Sequence, residues 1–346
     1  MSAPMHDFED EEDPTALMPT GEDWDRLAEL RELFLSAEGG LQTVAYWKSR
    51  RDFELYDATF AERIGWKWDA VLAELALRGR MPTATNVVDF GCGTGIATRR
   101  FVAAVPGVKH VYLSDRSKQA TWFARDALAL QAPKVELTLH LPRAEDPIDV
   151  LLASHVLGEL DAEGRAELTA LARRAQFVLL VEPGSHILSR TLGGLREELL
   201  DAFDVLAPCT HAATCGLFAA GHDDDWCHFF ARPAPEAFTS SFWRHFSNRL
   251  GIDLRSLPYS FLALRRKGEP AEPVEPRGVR VLGRPRLLKG RALLDCCDAT
   301  GVHERTLFER DAKKLFKRLD RSGEILVADA RIEGERLHDF RPLGSE

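Results

Sequence analysis

The stretch Asp89-Phe90-Gly91-Cys92-Gly93-Thr94-Gly95 decides the fold of this 346-residue chain. It follows an apolar run at 86–88 and leads into residues 96–101, whose pattern is helical, so a strand passes into a helix through three glycines. Glycines at alternate positions let the backbone bend and approach a ligand without an intervening Cβ, and the first turn of the helix offers free N–H groups. The loop therefore predicts a binding site for a small molecule.

A second predicted strand, at 111–115, ends in an acid that lies 20 residues beyond Gly95. A carboxylate there can accept hydrogen bonds from both hydroxyls of a ribose, so the loop and the acid together indicate a nucleoside. Dinucleotide-binding loops open with glycine because a pyrophosphate must fit, whereas Asp89 suits a ligand that carries an amino group and no phosphate. The predicted ligand contacts are Asp89, Gly91, Gly93, Gly95 and Asp115.

This pattern resembles the motif of class I S-adenosylmethionine-dependent methyltransferases, with a dehydrogenase-like or degenerate nucleotide fold as the alternative. Strands and helices alternate after the loop, which predicts an α/β fold with a Rossmann-like, doubly wound parallel sheet. The predicted strands are 87–90, 111–115, 135–139, 149–154 and 177–182, with helices at 98–104, 117–129 and 162–175. A last pair, at 226–231 and 259–265, would complete a seven-stranded sheet of the methyltransferase type.

Composition divides the chain into five regions. They are an acidic disordered tail at 1–20, a helical N-terminal region at 21–84, the methyltransferase domain at 85–267 with a Cys-rich insertion near 205–232, a Pro-rich linker at 268–278 and a β-rich appendage at 279–346. Proline at every third position favours an extended spacer in the linker. Within the appendage, the pattern predicts short strands at 279–282, 292–296 and 324–328 around a helix from about 304 to 319.

Charge and hydropathy exclude a membrane protein. The chain is 45% hydrophobic and 29% charged, enough to bury one sizeable core and a second small module. No apolar stretch approaches the length needed to cross a bilayer, and six acids between Asp7 and Asp13 stand where a secretory signal needs basic and then apolar residues. We therefore expect a cytoplasmic protein without membrane contact. The same acids account for much of the net charge of −9.

Six cysteines form the second notable feature of the sequence. Cys92, inside the glycine loop, is interpreted as a small residue. The other five, which are clustered, are Cys209, Cys215, Cys227, Cys296 and Cys297. In a cytoplasmic chain such clustering favours a metal over disulfides, and zinc and an iron–sulfur cluster both accept thiolate ligands. The spacing does not decide between them, buried unliganded cysteines remain an alternative, and His211 and His228 are possible substitute ligands.

Several further motifs accompany the glycine loop between Tyr56 and Gly301. They are Ser114-Asp115-Arg116-Ser117, His155-Val156-Leu157-Gly158-Glu159-Leu160, Val181-Glu182-Pro183-Gly184, Ala207-Pro208-Cys209-Thr210-His211 and Trp226-Cys227-His228-Phe229. Together these resemble the methyltransferase-like proteins of bacteria and mitochondria that are associated with the small ribosomal subunit. The resemblance implies a Rossmann-like methyltransferase domain, S-adenosylmethionine binding, association with the small ribosomal subunit or its assembly, and a four-cysteine iron–sulfur site of the 4Fe-4S type.

The resemblance also implies which cysteines bind the cluster. Three ligands fall on Cys209, Cys215 and Cys227, and the fourth lies in the segment 294–301, where the distance to Gly301 favours Cys297 and leaves Cys296 as the alternative. If either is a ligand, the metal ties the appendage to the domain, and its binding free energy becomes folding free energy for both. The loop between Cys209 and Cys215 departs from the family's usual proline- and acid-rich pattern at Thr210 and Ala213. These differences do not affect the predicted ligands.

The sequence leaves catalysis undecided. Nucleic-acid amino-methyltransferases carry an Asn/Asp-Pro-Pro-aromatic motif after the fourth strand, whereas this chain has Ser154-His155-Val156-Leu157. His155 is the one candidate base, and a structural histidine is the alternative. Glu159 and Glu182 admit the same two interpretations. No catalytic residue is assigned, so turnover as an rRNA methyltransferase stays open.

A basic segment favours nucleic acid as a partner. Six basic residues and no acid occur between Arg277 and Arg291, which predicts contact with rRNA, although a solvated basic strand pair is the alternative. The predicted contacts are Arg277, Arg280, Arg284, Arg286, Lys289 and Arg291. The chain is accordingly predicted to be a methyltransferase-like protein that acts on, or assists assembly of, the small ribosomal subunit. The alternatives are a non-catalytic RNA-binding assembly factor and a small-molecule methyltransferase with a structural zinc.

Overall fold

The structure is a computed structural model that describes residues 19–37, 47–268, 278–319 and 327–344. The predicted acidic tail, except for its last two residues, and the predicted linker, except for its first and last, lie outside these ranges. None of the helices in the described ranges combines the length and the apolar character that crossing a membrane requires.

The N-terminal region is helical. Its elements are α1 (Gly21–Ala37), α2 (Arg50–Tyr56), a π-helical turn (Asp57–Ala61) and α3 (Glu62–Leu77). Ser49 caps α2 by accepting a hydrogen bond from the Asp52 amide, and the Asp52 carboxylate pairs with Arg26 of α1 at 2.7 Å. The paired charge and the buried Leu27 fix α1 against α2.

The central sheet has eight strands. They are β1 (Asn86–Phe90), β2 (His110–Ser114), β3 (Glu136–Thr138), β4 (Val150–Ser154), β5 (Phe177–Pro183), β6 (Phe203–Ala207), β7 (Phe229–Phe230) and β8 (Pro258–Arg266). The order is β3-β2-β1-β4-β5-β8-β6, with β7 attached to β8, and β8 runs antiparallel to both of its neighbours in an otherwise parallel sheet. This is the Rossmann-like sheet of class I methyltransferases, as predicted.

Helices cover both faces of the sheet. They are α4 (Ile96–Ala104), α5 (Lys118–Gln131), α6 (Ala162–Ala172), α7 (His186–Leu199), α8 (Glu236–Thr239) and α9 (Ser241–Leu250). Alternate residues of β1 enter opposite cores: Val87 packs in one and Val88 in the other. Strands buried on both faces read as continuous apolar runs, which is why the sequence revealed the central strands.

The predicted strand at 226–231 is confirmed only in part. Phe229 and Phe230 pair, as the short β7, with β8, and the strand β6, which was not predicted, forms the edge of the sheet. Trp226 and His228 lie outside the sheet, and their rings stack on each other with centroids 4.7 Å apart and an interplanar angle of 21°. The single acid of β6, Asp204, interrupts its apolar pattern, and the strand is completed only by its pairing with β8.

The appendage is a closed five-stranded barrel. Its elements are β9 (Val279–Leu288), β10 (Arg291–Asp298), β11 (Gly301–Phe308), α10 (Lys313–Phe316), β12 (Val327–Glu333) and β13 (Arg336–Pro342). The strands close in the order β9-β10-β11-β13-β12, and β11 and β13 are parallel. A helix between the third and fourth strands together with this order is the arrangement of an OB-fold. The predicted helix at 304–319 is wrong over 304–308, because the backbone of those residues pairs with β10.

A buried ion network joins the barrel to the domain. Glu74 of α3 is fully buried and accepts hydrogen bonds from Arg78, at 2.7 Å, and from Arg280 of β9. The Arg280 guanidinium also lies over the ring of Phe229, 3.7 Å from its centroid. The carboxylate therefore links the helical region, the sheet and the barrel in one place.

Candidate functional site

A cavity of about 920 Å³ opens at the carboxyl ends of the central strands. Its wall includes Gly91 and Gly93 from the loop after β1, Asp115 from the end of β2, and His155 from the end of β4. In a doubly wound sheet, ligands bind at this edge, where the strand order reverses. The structure therefore brings the glycine loop and the predicted ribose-binding acid to one cavity.

Glycine is required at each of the three loop positions, but the space around the three differs. All have positive φ angles, of 71° at Gly91, 52° at Gly93 and 81° at Gly95, which side chains rarely adopt. A Cβ on Gly91 would lie 2.6 Å from Val156 Cγ2, and one on Gly95 would lie 2.9 Å from the Ala124 Cβ. A Cβ on Gly93 would meet nothing within 4 Å. Gly91 and Gly95 thus allow close packing, and Gly93 keeps the backbone open to the cavity.

Asp115 is held in place by backbone amides. Oδ2 accepts a hydrogen bond from the Gly93 amide at 3.0 Å, and Oδ1 accepts one from the Ser117 amide at 2.8 Å. Burial raises the pKa of this carboxyl, and the two amides act in the opposite direction because they favour the charged form. The carboxylate is oriented before any ligand arrives.

Asp89 lies behind the cavity wall. It is fully buried, is not among the residues that line the cavity, and accepts a hydrogen bond from Thr98 Oγ1 at 2.5 Å on Oδ2. Its Oδ1 has no hydrogen-bond partner among the residues that the structure describes. Burial raises the pKa of Asp89 to about 7, and the charge of Asp115 adds to the shift. Gly95 is also absent from the wall, so the structure separates these two residues from the other three predicted contacts.

His155 stands directly after β4 in a strained conformation. Its φ is 56°, although it is not glycine, and its Nε2 lies 3.4 Å from the Nζ of Lys67 on α3. Burial, and then the charge of Lys67, lower the pKa of His155 well below its usual value, so the ring is neutral near pH 7. Glu182 fixes the same loop by accepting hydrogen bonds from the amides of Val156 and Leu157, at 3.0 and 3.1 Å. Glu182 is therefore a structural residue here.

Four of the cysteines lie in one region of the structure. Cys209, Cys215 and Cys227 line a single small cavity beside α7. Cys297 belongs to the hydrophobic cluster against which Cys215 and Cys227 pack, and burial followed by the charges of Cys209 and Cys215 raises the pKa of its thiol. Cys296 points the other way, into the core of the barrel. Adjacent residues of a strand face opposite sides, so only one of the pair can join the other three.

The loop that carries the first two cysteines is fixed by buried charges. Arg196 of α7 donates hydrogen bonds to the carbonyl oxygens of His211 and Ala213, both at 3.0 Å, and Glu197 accepts one from the Cys215 amide at 3.1 Å. Arg78 donates to the carbonyl of Pro208 at 2.9 Å. These hydrogen bonds hold the thiols near one another and place cations beside them.

The two histidines considered as ligands differ. His211 Nε2 lies 3.4 Å from Cys297 Sγ, whereas His228 stacks on Trp226 and bonds to its carbonyl through Nδ1 at 3.1 Å. Across the part of the chain that the structure describes, no three or more His, Cys, Asp and Glu side chains are arranged so that they could hold a metal ion. The cysteines are gathered in one region without forming a closed ligand shell.

The family follows from a comparison with protein-family models. The model described as mitochondrial small ribosomal subunit Rsm22 matches residues 58–323. The chain belongs to the Rsm22 family. The match extends from the helical region through the sheet and the cysteine loop into the barrel. No curated protein matches the chain significantly.

Solved structures resemble the Rsm22-family chain only distantly. A putative RNA methyltransferase from Pyrococcus horikoshii is 12% identical, with a TM-score of 0.37 over 70% of this chain and 98% of the other. The magnesium protoporphyrin IX methyltransferase of Synechocystis PCC 6803 with bound SAH is 16% identical, with a TM-score of 0.38 over 71% and 95%. These values are too low to support an argument about ligand or substrate.

The basic segment of the Rsm22-family chain contains both buried and exposed residues. Arg280 cannot contact RNA as predicted, because it is 3% exposed and bound to Glu74. Arg286 pairs with Asp295 at 3.2 Å and with Glu304. The exposed residues among those described are Arg284, Arg286, Lys289 and Arg291. Arg277 lies outside the described residues.

An aromatic row adjoins this segment. The His228 ring stacks on Trp226 and meets Phe230 edge-on at 5.5 Å, while the Arg284 guanidinium lies 4.2 Å from the Phe230 centroid. The three rings occupy alternate positions and are each partly exposed. Sequence reasoning treated this segment as a strand and missed the row. The alternation of Trp, His and Phe was the available signal, since alternate residues of an extended segment share a face.

Proposed function

We propose that this protein binds S-adenosylmethionine in the cavity at the glycine loop and acts on, or assists assembly of, the small ribosomal subunit in contact with rRNA. One observation carries the proposal. Gly93 and the oriented Asp115 carboxylate line a single cavity at the strand ends of a class I methyltransferase sheet, in a chain of the Rsm22 family.

The residues of the cavity have separate tasks in this proposal. Asp115 accepts the two ribose hydroxyls, and the open backbone at Gly93 lets the adenosyl and methionine parts approach closely. Asp89 and Gly95 act from behind the wall by fixing the start of α4. When bound, S-adenosylmethionine supplies an electrophilic methyl group. The neutral His155 ring is then a candidate proton acceptor at the cavity.

Replacing Asp115 by alanine is expected to weaken S-adenosylmethionine binding by at least about 100-fold, because two hydrogen bonds to a charged group are removed and each contributes about 1.5–3 kcal/mol. Isothermal titration calorimetry measures the affinity. Asp201→Ala, which removes an exposed carboxylate paired with Arg173, is the matched control and should bind as the parent does. Equal affinities for the parent and Asp115→Ala would refute the assignment.

The grouping of four thiols in one region supports a proposed iron–sulfur site at Cys209, Cys215, Cys227 and Cys297. The donor set fits such a cluster in chemistry, because thiolates are its usual ligands and the nearby Arg196 and Arg280 offset negative charge. Bound there, the cluster would supply a covalent link between the cysteine loop and the barrel. Zinc is the alternative occupant, since a tetrahedral site of four thiolates suits it equally.

A second candidate is an S-adenosylmethionine-binding assembly factor that transfers no methyl group. The observation in its favour is the loop after β4, which lacks the acceptor motif of nucleic-acid amino-methyltransferases. In addition, the Nζ of Lys67 lies next to Nε2 of His155, the candidate base in that loop. A methyltransfer assay on small-subunit rRNA distinguishes the two candidates, because binding without turnover supports the second. The cytoplasmic location stays a prediction.

Removing three exposed cations of the barrel's first hairpin is expected to weaken binding of single-stranded rRNA fragments. The variant carries Arg284→Ala, Lys289→Ala and Arg291→Ala. For each RNA phosphate that the variant no longer neutralises, the slope of log K against log salt concentration becomes shallower by about 0.7. Fluorescence anisotropy at several salt concentrations measures both the affinity and the slope.

Alanines at Arg125, Arg173 and Arg249, which are exposed elsewhere on the domain, provide the charge-matched control for the hairpin variant. The control protein carries the same net charge and keeps the three cations of the hairpin. Identical salt slopes in the two variants would argue against this surface.

A further inference from the structure

A second cavity, of about 540 Å³, adjoins the first at His155. The residues that line both are Phe34, Tyr56, Ile64, His155 and Glu159. The volume lies within the range of small-molecule sites in proteins. A group bound in the second cavity therefore lies next to whatever occupies the first, with only the His155 ring and its neighbours between them.

Arg63 of α3 supplies to this second cavity a cation that has no ion-pair partner among the described residues. Its Nη2 donates a long hydrogen bond, of 3.5 Å, to the Ser256 carbonyl, and its Nε is buried without a partner. Among the described residues, no carboxylate lies within ion-pair distance of it. Burial, followed by the charge of Arg31, lowers the pKa of Arg63 to about 10, so the guanidinium is still charged at neutral pH. A buried charge of this kind is stabilised by an anion.

The two acids of the cavity form ion pairs with other residues, although the charge of Asp253 partly offsets the shift in the pKa of Arg63. Glu159 pairs with Arg116 at 2.9 Å, and Asp253 pairs with Arg255 at 3.0 Å. Lys67 adds a further positive charge to the same wall. The cavity therefore favours an anionic ligand.

Aromatic rings form another part of the wall. Phe34 and Tyr56 have centroids 5.3 Å apart, and Tyr56 and Phe60 have centroids 6.0 Å apart. Such rings offer apolar faces to a planar heterocycle, in the way that proteins hold a base removed from its stack. A planar ring system that carries a phosphate matches both parts of the wall.

We infer that the second cavity binds one unpaired nucleotide of an RNA strand, with its base against Phe34, Tyr56 and Phe60 and its phosphate on Arg63. The inference rests on the proposed function, because it gives the RNA partner a site beside the S-adenosylmethionine cavity. It holds whether or not the bound nucleotide is methylated.

The test uses the full-length protein with the first cavity saturated by S-adenosylhomocysteine, so that an added nucleotide meets only the second. Uridine 5′-monophosphate and cytidine 5′-monophosphate are titrated by calorimetry into the parent, Arg63→Gln and Arg244→Gln. Arg244 is exposed on α9 and gives the charge-matched control. We expect Arg63→Gln to bind the nucleotides at least 10-fold more weakly, and Arg244→Gln to equal the parent.

A comparison of two ligands on the parent protein does not depend on whether a variant folds. Uridine should bind at least 10-fold more weakly than uridine 5′-monophosphate, since it lacks the phosphate. Equal affinity of the two ligands, or of the parent and Arg63→Gln, would overturn the inference even where S-adenosylhomocysteine binds normally. Nucleotide binding that depends on Arg63 in a protein that does not bind S-adenosylhomocysteine would support this site and refute the proposed cofactor.

Discussion

Replacing Cys297 by alanine is expected to remove the iron and sulfide from anaerobically purified protein, whereas Cys296→Ala is expected to leave both in place. The two thiols are neighbours in sequence and face opposite sides of β10. Cys297 adjoins Cys209, Cys215 and Cys227, and Cys296 packs in the barrel core. Removal of one of four ligands is expected to abolish stable binding of the cluster.

Iron, sulfide and zinc analysis together with an absorption spectrum provides the measurement. Both variants delete one buried sulfur, so Cys296→Ala controls for the loss of packing. Equal metal content in the two variants would refute the ligand assignment. Stoichiometric zinc without colour in the parent, absent only from Cys297→Ala, would keep the four ligands and replace the proposed cluster by zinc.

Glu74→Gln is expected to destabilise the protein by about 3–5 kcal/mol, because it leaves two buried guanidinium groups without their shared carboxylate. Arg78 and Arg280 are 5% and 3% exposed at their side chains, so water cannot replace the missing partner. For a chain of this size the destabilisation corresponds to a decrease in Tm of roughly 10 °C. Thermal unfolding followed by circular dichroism, at matched metal content, measures it.

A surface glutamate provides the control for Glu74. Glu54 pairs with Arg50 at 3.4 Å in an exposed i,i+4 arrangement, and Glu54→Gln should change stability by about 0.5 kcal/mol or less. Combining Glu74→Gln with Arg280→Met should recover part of the stability, since the second change removes one uncompensated cation. A Tm of Glu74→Gln within about 2 °C of the parent would show that the network contributes little.

The features that sequence predicted correctly have local causes. The glycine loop is recognisable because its positive φ angles require glycine, and the central strands because burial on both faces makes them uniformly apolar. The features that sequence missed depend on distant partners. β6 exists through its pairing with β8, which lies far along the chain, and β11 was interpreted as helix because its pairing with β10 is not evident from composition.

The same division applies to the candidate sites. Asp115 follows from its spacing after the loop, whereas Asp89 fits the motif and yet lies behind the wall, which only the packing of Thr98 reveals. Arg63 and Glu74 are ordinary charged residues of a helix in the sequence. They become notable because tertiary contacts bury them, the first without a counterion and the second between two cations.

The position of β8 between β5 and β6 determines when, during synthesis of the chain, the central sheet can be completed. β6, which leads directly into Cys209, has no sheet partner until residues 258–266 emerge from the exit tunnel. Cys297 follows later still, 70 residues after Cys227. At ordinary elongation rates of about 5–20 residues per second, the earlier thiols wait several seconds for their last neighbour. A metal that needs all four thiols can therefore be bound only after Cys297 has been synthesised, and the earlier thiols are open to oxidation in that interval.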